Sequence, residues 1–103
     1  MDFHIEYSPE SVESLWQIAT YLAEKSDTAP FTVLSMIRDK IDNLKTHPRM
    51  GKVVEKRPRL RQIVADSYLV FYEVLDDRKQ VRIADIIHAA RQSEIDRIMK
   101  QQS

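Results

Sequence analysis

A histidine and an arginine three residues apart close the most informative stretch of this chain, which reads LRQIVADSYLVFYEVLDDRKQVRIADIIHAAR from Leu60 to Arg91. An imidazole titrates near neutral pH and can serve as general acid or base, and a guanidinium grips a phosphate through paired hydrogen bonds. His88 and Arg91, joined by Arg61 and by Tyr68 or Tyr72 from a neighbouring run, could assemble a phosphodiester-cleaving site. His88 would move protons, and Arg61 and Arg91 would hold the phosphate. The alternative for His88 is structural, a ring that hydrogen-bonds the backbone at a sheet edge, since no carboxylate is paired with it. Arg61, set among apolar neighbours, either reaches to water or pairs with an acid, with Asp85 and Glu73 as candidates.

These side chains need a sheet to carry them. Leu60–Ala65, Tyr68–Leu75 and Gln80–His88 are rich in β-branched and aromatic residues and are separated by Asp66-Ser67 and by the charged turn Asp76–Lys79. They predict a three-strand meander whose middle strand, apolar on both faces, is central. A meander that closes on His88 and Arg91 at a strand-to-helix junction is one way to present cationic groups at the rim of a sheet. Ahead of it, Phe3, Ile5 and Tyr7 alternate with His4 and Glu6, which predicts a short strand. Ser8 offers an N-cap and Pro9 a first helical position. Val12, Leu15, Trp16, Ala19, Leu22 and Ala23 then recur at three and four, predicting an amphipathic helix to about Lys25 with Trp16 in the core. Ser26-Asp27-Thr28 is read as a break and a new cap. Val33, Leu34, Ile37, Ile41 and Leu44 mark a second helix to about Thr46, antiparallel to the first.

His47-Pro48-Arg49-Met50-Gly51 ends that helix, and Gly51, the single glycine, is expected at positive φ. Residues 52–59 read as a polar loop held open by Pro58. Arg91–Lys100 is the last helix, with Ile95, Ile98 and Met99 on one side. The order β-α-α-β-β-β-α defines an α+β class: an antiparallel sheet, an N-terminal helical hairpin on one face and a short C-terminal helix. Ile18 and Tyr21 widen the apolar surface of the first helix and could dock a partner segment. Ile95, Ile98 and Met99 could do the same, or fold back on the sheet.

Composition bounds the function. The 103 residues make one domain, 1–103. No apolar run approaches the ~20 residues of a membrane span, and the acidic, Pro9-broken start is unlike a signal peptide. With no Cys and three His, neither a disulfide framework nor a structural zinc site is expected, and no cofactor. The absence of Cys fits a reducing cytoplasm. No glycine-rich phosphate cradle exists. Net charge is zero but segregated: Asp2, Glu6, Glu10, Glu13, Glu24 and Asp27 face Lys25 alone in the first thirty residues. Arg49, Lys52, Lys56, Arg57, Arg59 and Arg61 face only Glu55 in residues 49–61. The basic segment is either a patch for an acidic partner or a loop kept soluble by its charges.

Several motifs, taken in order, resemble one family over nearly the whole chain. Leu15, Ile18, Tyr21 and Leu22 are similar to its LxxIxxYL pattern, and Leu44, Pro48 and Gly51 to its LxxxPxxG turn. Leu60-Arg61, the run Tyr68–Tyr72 and the closing Ile87-His88-Ala89-Ala90-Arg91 complete the likeness to RelE/ParE toxins of bacterial type II toxin–antitoxin modules. RelE-like members resemble ribosome-dependent mRNA endonucleases, and ParE-like members share the fold but act on DNA gyrase. Ala89 and Ala90 stand where a nuclease would offer cations, and Arg61 is followed by Ile63, Val64 and Ala65. Zero net charge is also unlike a protein that docks on ribosomal RNA.

The resemblance therefore implies the ParE branch: a growth-arresting gyrase inhibitor that is not an enzyme, of the kind that stabilises plasmids. Arg61, Tyr68, His88 and Arg91 would be its target-facing rim. It further implies a cognate antitoxin folding over apolar grooves at Ile18, Tyr21, Ile95, Ile98 and Met99. A dimer or heterotetramer follows, with operator DNA contacted only through the antitoxin. The other readings are a ribosome-dependent mRNA endoribonuclease using His88, Arg61 and Arg91, and a partner-binding module without toxicity.

Overall fold

In the computed structural model, residues 2–25 and 30–100 are described. The order is β1 (His4–Tyr7), α1 (Pro9–Ala23), α2 (Pro30–Asp42), a short 3-10 turn (Asn43–Lys45), β2 (Lys52–Val54), β3 (Arg57–Ala65), β4 (Tyr68–Leu75), a second 3-10 turn (Asp76–Arg78), β5 (Gln80–His88) and α3 (Gln92–Lys100). The five strands form one sheet in the order β1-β5-β4-β3-β2. The class is α+β, as expected. The sheet is antiparallel except at one edge, where β1 runs parallel to β5. The long crossover from β1 to the far side of the chain makes that pairing possible. The expected break and cap at Ser26-Asp27-Thr28 lies outside the described residues.

Ser8 caps α1 as predicted: its side chain accepts from the Ser11 N–H at 3.1 Å, and Pro9 follows where a missing N–H costs nothing. The cap is also a tertiary joint. β5 carries one extra residue against β4, Ala84, where the register shifts between Phe71 and Tyr72. That bulge leaves a carbonyl unclaimed by the ladder. Ser8 Oγ donates to Ala84 O at 2.8 Å, and Ser8 N–H donates to Ile83 O at 3.0 Å. One irregularity in a strand thus fixes where α1 starts.

Two cores lie on the two faces of the sheet. Ile18 and Leu22 of α1, with Ile37 and Ile41 of α2, pack on Ile63, Val70, Tyr72 and Ile83. On the other face α3 lays Ile95 and Ile98 over Phe71, Leu60, Val54 and Ile87. β4 serves both, which is why it reads as apolar throughout.

Four expectations are corrected here. Trp16 is 68% exposed and is not core. The inward face of α1 runs Ser11, Leu15, Ile18 and Leu22, and Trp16 stands about 100° round from Leu15. Two inward serines, Ser11 and Ser14, hide that phase from a hydrophobicity count. Residues 52–59 are not an open loop: Lys52–Val54 pairs with β3, and Pro58 falls inside the shift between Val53↔Arg61 and Val54↔Arg57. A residue lacking an N–H is harmless in such an irregularity. Gly51 does not have positive φ. Its role is close approach, since a Cβ there would run into Tyr72 Oη and lie 2.9 Å from Gln62 O. Finally, neither Asp85 nor Glu73 is shown pairing with Arg61. Arg61 Nη1 donates to the carbonyls of Gly51 at 2.9 Å and Arg49 at 3.3 Å.

Candidate functional site

The turn Asp76–Lys79 folds β5 back along β4, so the start of β4 lies beside the end of β5 and Tyr68 and His88 are direct cross-strand partners. Asp66 takes φ 56°, a conformation that Asp tolerates because its short side chain bonds locally. The rings meet edge to face, with centroids 5.1 Å apart and an interplanar angle of 83°. The chain then turns sharply. Ala89 N–H donates to Ser67 O at 2.8 Å, and Arg91 N–H to His88 O at 2.9 Å. This carries Arg91 to the foot of α3.

A cleft of about 260 Å³ opens above these residues. Ser14, Gln17, Ile18 and Tyr21 of α1 form one wall. Ile86 and His88 with Tyr68 form the floor, and Ala90, Arg91 and Glu94 the other wall. Three of the four expected rim residues, Tyr68, His88 and Arg91, therefore meet. Arg61 does not. It pairs across the ladder with Tyr72, four residues along β4 from Tyr68, or about 13 Å at strand rise. There it holds the loop around Gly51.

The state of each group follows from its contacts. Ala90 N–H donates to His88 Nδ1 at 3.0 Å. The Nδ1 lone pair is thus engaged, and the ring proton of the neutral imidazole sits on Nε2. Tyr68 has its phenol pKa raised, first by burial and then by the neighbouring Tyr21 and Asp66, with Arg91 partly opposing. It therefore stays a protonated hydrogen-bond donor at neutral pH. Arg91 lies 3.2 Å from Glu94 in an exposed i,i+3 pair. At the cleft base Ser14 Oγ donates to Asp85 Oδ1 at 2.5 Å, and Ile86 N–H donates to the same oxygen at 2.7 Å. This fixes α1 against the floor. Among the described residues no cluster of His, Cys, Asp and Glu could hold a metal ion.

Glu94, Gln17 and Ser14 were not anticipated as lining residues. Glu94 had a signal, its spacing of three from Arg91. Gln17 had one in its spacing of four from Tyr21. Ser14 had none, because its role depends on Asp85 across the fold.

Of the residues expected to take a partner segment, Ile18, Ile95 and Ile98 are buried at 8%, 4% and 9% exposure. Ile18 belongs to the helix–sheet core and lines the cleft wall, and Ile95 and Ile98 fold back on the sheet. Met99 packs partly against the same core, and Tyr21 alone is well exposed. The larger apolar surface lies elsewhere. A groove of about 720 Å³ runs between α1 and α2. Val12, Leu15, Phe31, Leu34 and Ile37 line it with Tyr7, and Phe31 is 71% exposed.

No curated protein matches the chain significantly. Solved structures share its fold at low identity. ParDE from P. aeruginosa superposes with a TM-score of 0.67 at 13% identity, over 84% of this chain and 95% of that one. A mutant E. coli toxin RelE in the free state gives 0.65 at 17% identity, over 94% and 93%. The RelBE2 toxin–antitoxin complex of Mycobacterium tuberculosis gives 0.63 at 14%, over 85% and 99%. The family model of the ParE toxin of type II toxin–antitoxin systems matches residues 5–93. The chain accordingly belongs to the ParE toxins, within the RelE/ParE superfamily of type II toxin–antitoxin modules.

Proposed function

We propose that this toxin arrests growth in the cytoplasm by binding DNA gyrase through the Tyr68–His88–Arg91 cleft rim, without catalysing a reaction. The observation that carries this reading is the state of His88. Its Nδ1 is committed to Ala90 N–H, the Arg91 guanidinium of the same cleft already pairs with Glu94, and Arg61 is occupied elsewhere. A phosphodiester-cleaving site needs a free base and cations aimed at the phosphate. The cleft offers hydrogen-bond donors on a rigid floor instead, which suits recognition. Among the described residues no helix is long and apolar enough to cross a membrane.

The test is gyrase supercoiling with purified, antitoxin-free protein. Inhibition with linearised plasmid is the expected result. Arg91→Ala should weaken inhibition roughly 10–30-fold, as for an anchoring charged residue, with thermal stability unchanged because its pair is exposed. Uninhibited gyrase, from a preparation that still arrests cells and degrades mRNA, would replace this reading with ribosome-dependent RNA cleavage. The Nε2 proton of His88, directed by the Ala90 bond, is the feature favouring that second reading.

Neutralisation is assigned to a cognate antitoxin segment lying in the groove between α1 and α2, with the toxin held in a dimer or heterotetramer and operator DNA touched only by the antitoxin. Solved relatives of this fold include toxin–antitoxin complexes. An amphipathic helix in an apolar groove is a recurring recognition mode. Phe31→Asp should therefore leave growth arrest intact while antitoxin co-expression no longer rescues the cells. Full rescue would place the antitoxin on another surface.

A further inference from the structure

Beyond the cleft and the groove, the outer face of α1 carries a second stripe. Glu13, Trp16, Gln17, Thr20, Tyr21 and Glu24 recur at i, i+3, i+4, i+7, i+8 and i+11, and they line a shallow groove of about 290 Å³. Its residues alone line that groove among the described residues. Trp16, at its centre, is the most exposed residue of its size on α1, and Tyr21 is 47% exposed. A carboxylate closes each end, and neither Glu13 nor Glu24 has an ion pair among the described residues. A solitary exposed tryptophan is tolerable on a surface, but one set between two unpaired carboxylates on a single helical stripe has a defined complement.

We propose that this face docks a cationic segment of a partner protein, an Arg- or Lys-bearing peptide whose side chains lie over Trp16 and Tyr21 and whose charges meet Glu13 and Glu24. Charge complementarity and aromatic stacking act together: a guanidinium over an indole face gains from the ring quadrupole, and the flanking carboxylates supply the counter-charge. The molecule already shows this chemistry at one end, where Lys25 Nζ sits 4.9 Å from the centre of the Tyr21 ring. The local charge agrees, since the first thirty residues carry Lys25 as their only Lys or Arg. The inference is independent of the target assigned to the cleft, although Gln17 and Tyr21 border both surfaces.

Trp16 is the only tryptophan in the chain, so its emission reads the site directly. The full-length protein is titrated with nona-arginine at low salt. A saturable change in emission is expected, together with affinity about tenfold weaker in Glu13→Gln/Glu24→Gln, as for loss of two exposed charge pairs. Glu6→Gln/Glu10→Gln removes the same charge elsewhere in the acidic region and should change affinity less than about twofold. Trp16→Ala, followed by anisotropy of a fluorescein-labelled peptide, should also weaken binding, and Arg91→Ala should not. Equal losses in the two glutamine pairs would reduce the effect to diffuse attraction and overturn the proposal. So would an absence of saturation, or a peptide-free change in emission tracking self-association in sedimentation, which would give the face to a second copy.

Discussion

Phe71→Ala is expected to cost about 3–5 kcal/mol and to release α3 before the sheet unfolds. Phe71 is fully buried on the sheet face away from the helical hairpin, where it forms the floor under Ile95 and Ile98. The helix it supports spans nine residues, Gln92–Lys100. Isolated helices shorter than about 12–15 residues are marginal in water, so α3 exists because its apolar stripe is covered. Truncating the ring removes transfer energy and leaves a cavity that a sheet floor cannot collapse to fill. Chemical denaturation gives the total loss, and amide exchange gives its distribution: protection should fall first in residues 92–100 and last in β4 and β5. A loss below about 1 kcal/mol would mean that α3 does not pack there. The change reaches the cleft as well, because Arg91 and Glu94 stand at the foot of α3. A Phe71→Ala protein should lose target affinity without any cleft residue being altered.

The second large effect belongs to Tyr72 and Gly51. The Tyr72 hydroxyl donates to Pro48 O at 2.8 Å and accepts from Gly51 N–H at 2.9 Å, inside a fully buried ring environment. Tyr72→Phe strands both backbone groups and should cost roughly 2–4 kcal/mol. Gly51→Ala attacks the same joint sterically. The new methyl would sit against the Tyr72 hydroxyl and the Gln62 carbonyl, and a rigid neighbour of that kind makes overpacking cost about 1–3 kcal/mol or more. Because both changes break one joint, the double variant should cost clearly less than the sum.

Tyr72 also supplies a pH signature. Burial raises its pKa above the ordinary 10.0, while the Gly51 N–H and the nearby Arg61 and Arg49 oppose this in part. The unfolded chain therefore gives up this proton first. Stability from this group is fully present below about pH 10 and is lost as pH rises through the displaced value. Tyr7 and Tyr68 are displaced in the same direction, so Tyr72→Phe should make the alkaline decline shallower without abolishing it. An unchanged slope between the two proteins would remove Tyr72 from the account.

Local chemistry decided much of this molecule. The start of α1 at Ser8-Pro9, the bounds of β4 and β5, the Asp66-Ser67 turn and the α+β order were all readable, because caps, turn residues and apolar period act over a few neighbours. The meeting of Tyr68 and His88 was readable for the same reason: the short charged turn Asp76–Lys79 joins two long strands and leaves few registers. Tertiary structure decided the rest. The phase of α1 depended on Ser11 and Ser14 finding partners inside, which put Ile18 in the core and Trp16 outside. Strand β2 formed from a charged segment because β3 offered it an edge. The partners of Arg61 were hidden because only its neighbours in sequence were visible, and the structure brings the carbonyls of Arg49 and Gly51 to it. Contacts between residues far apart in the chain carry no local signature. For that reason the cleft floor was legible from the amino acids alone, and its walls and the two exposed faces of the hairpin were not.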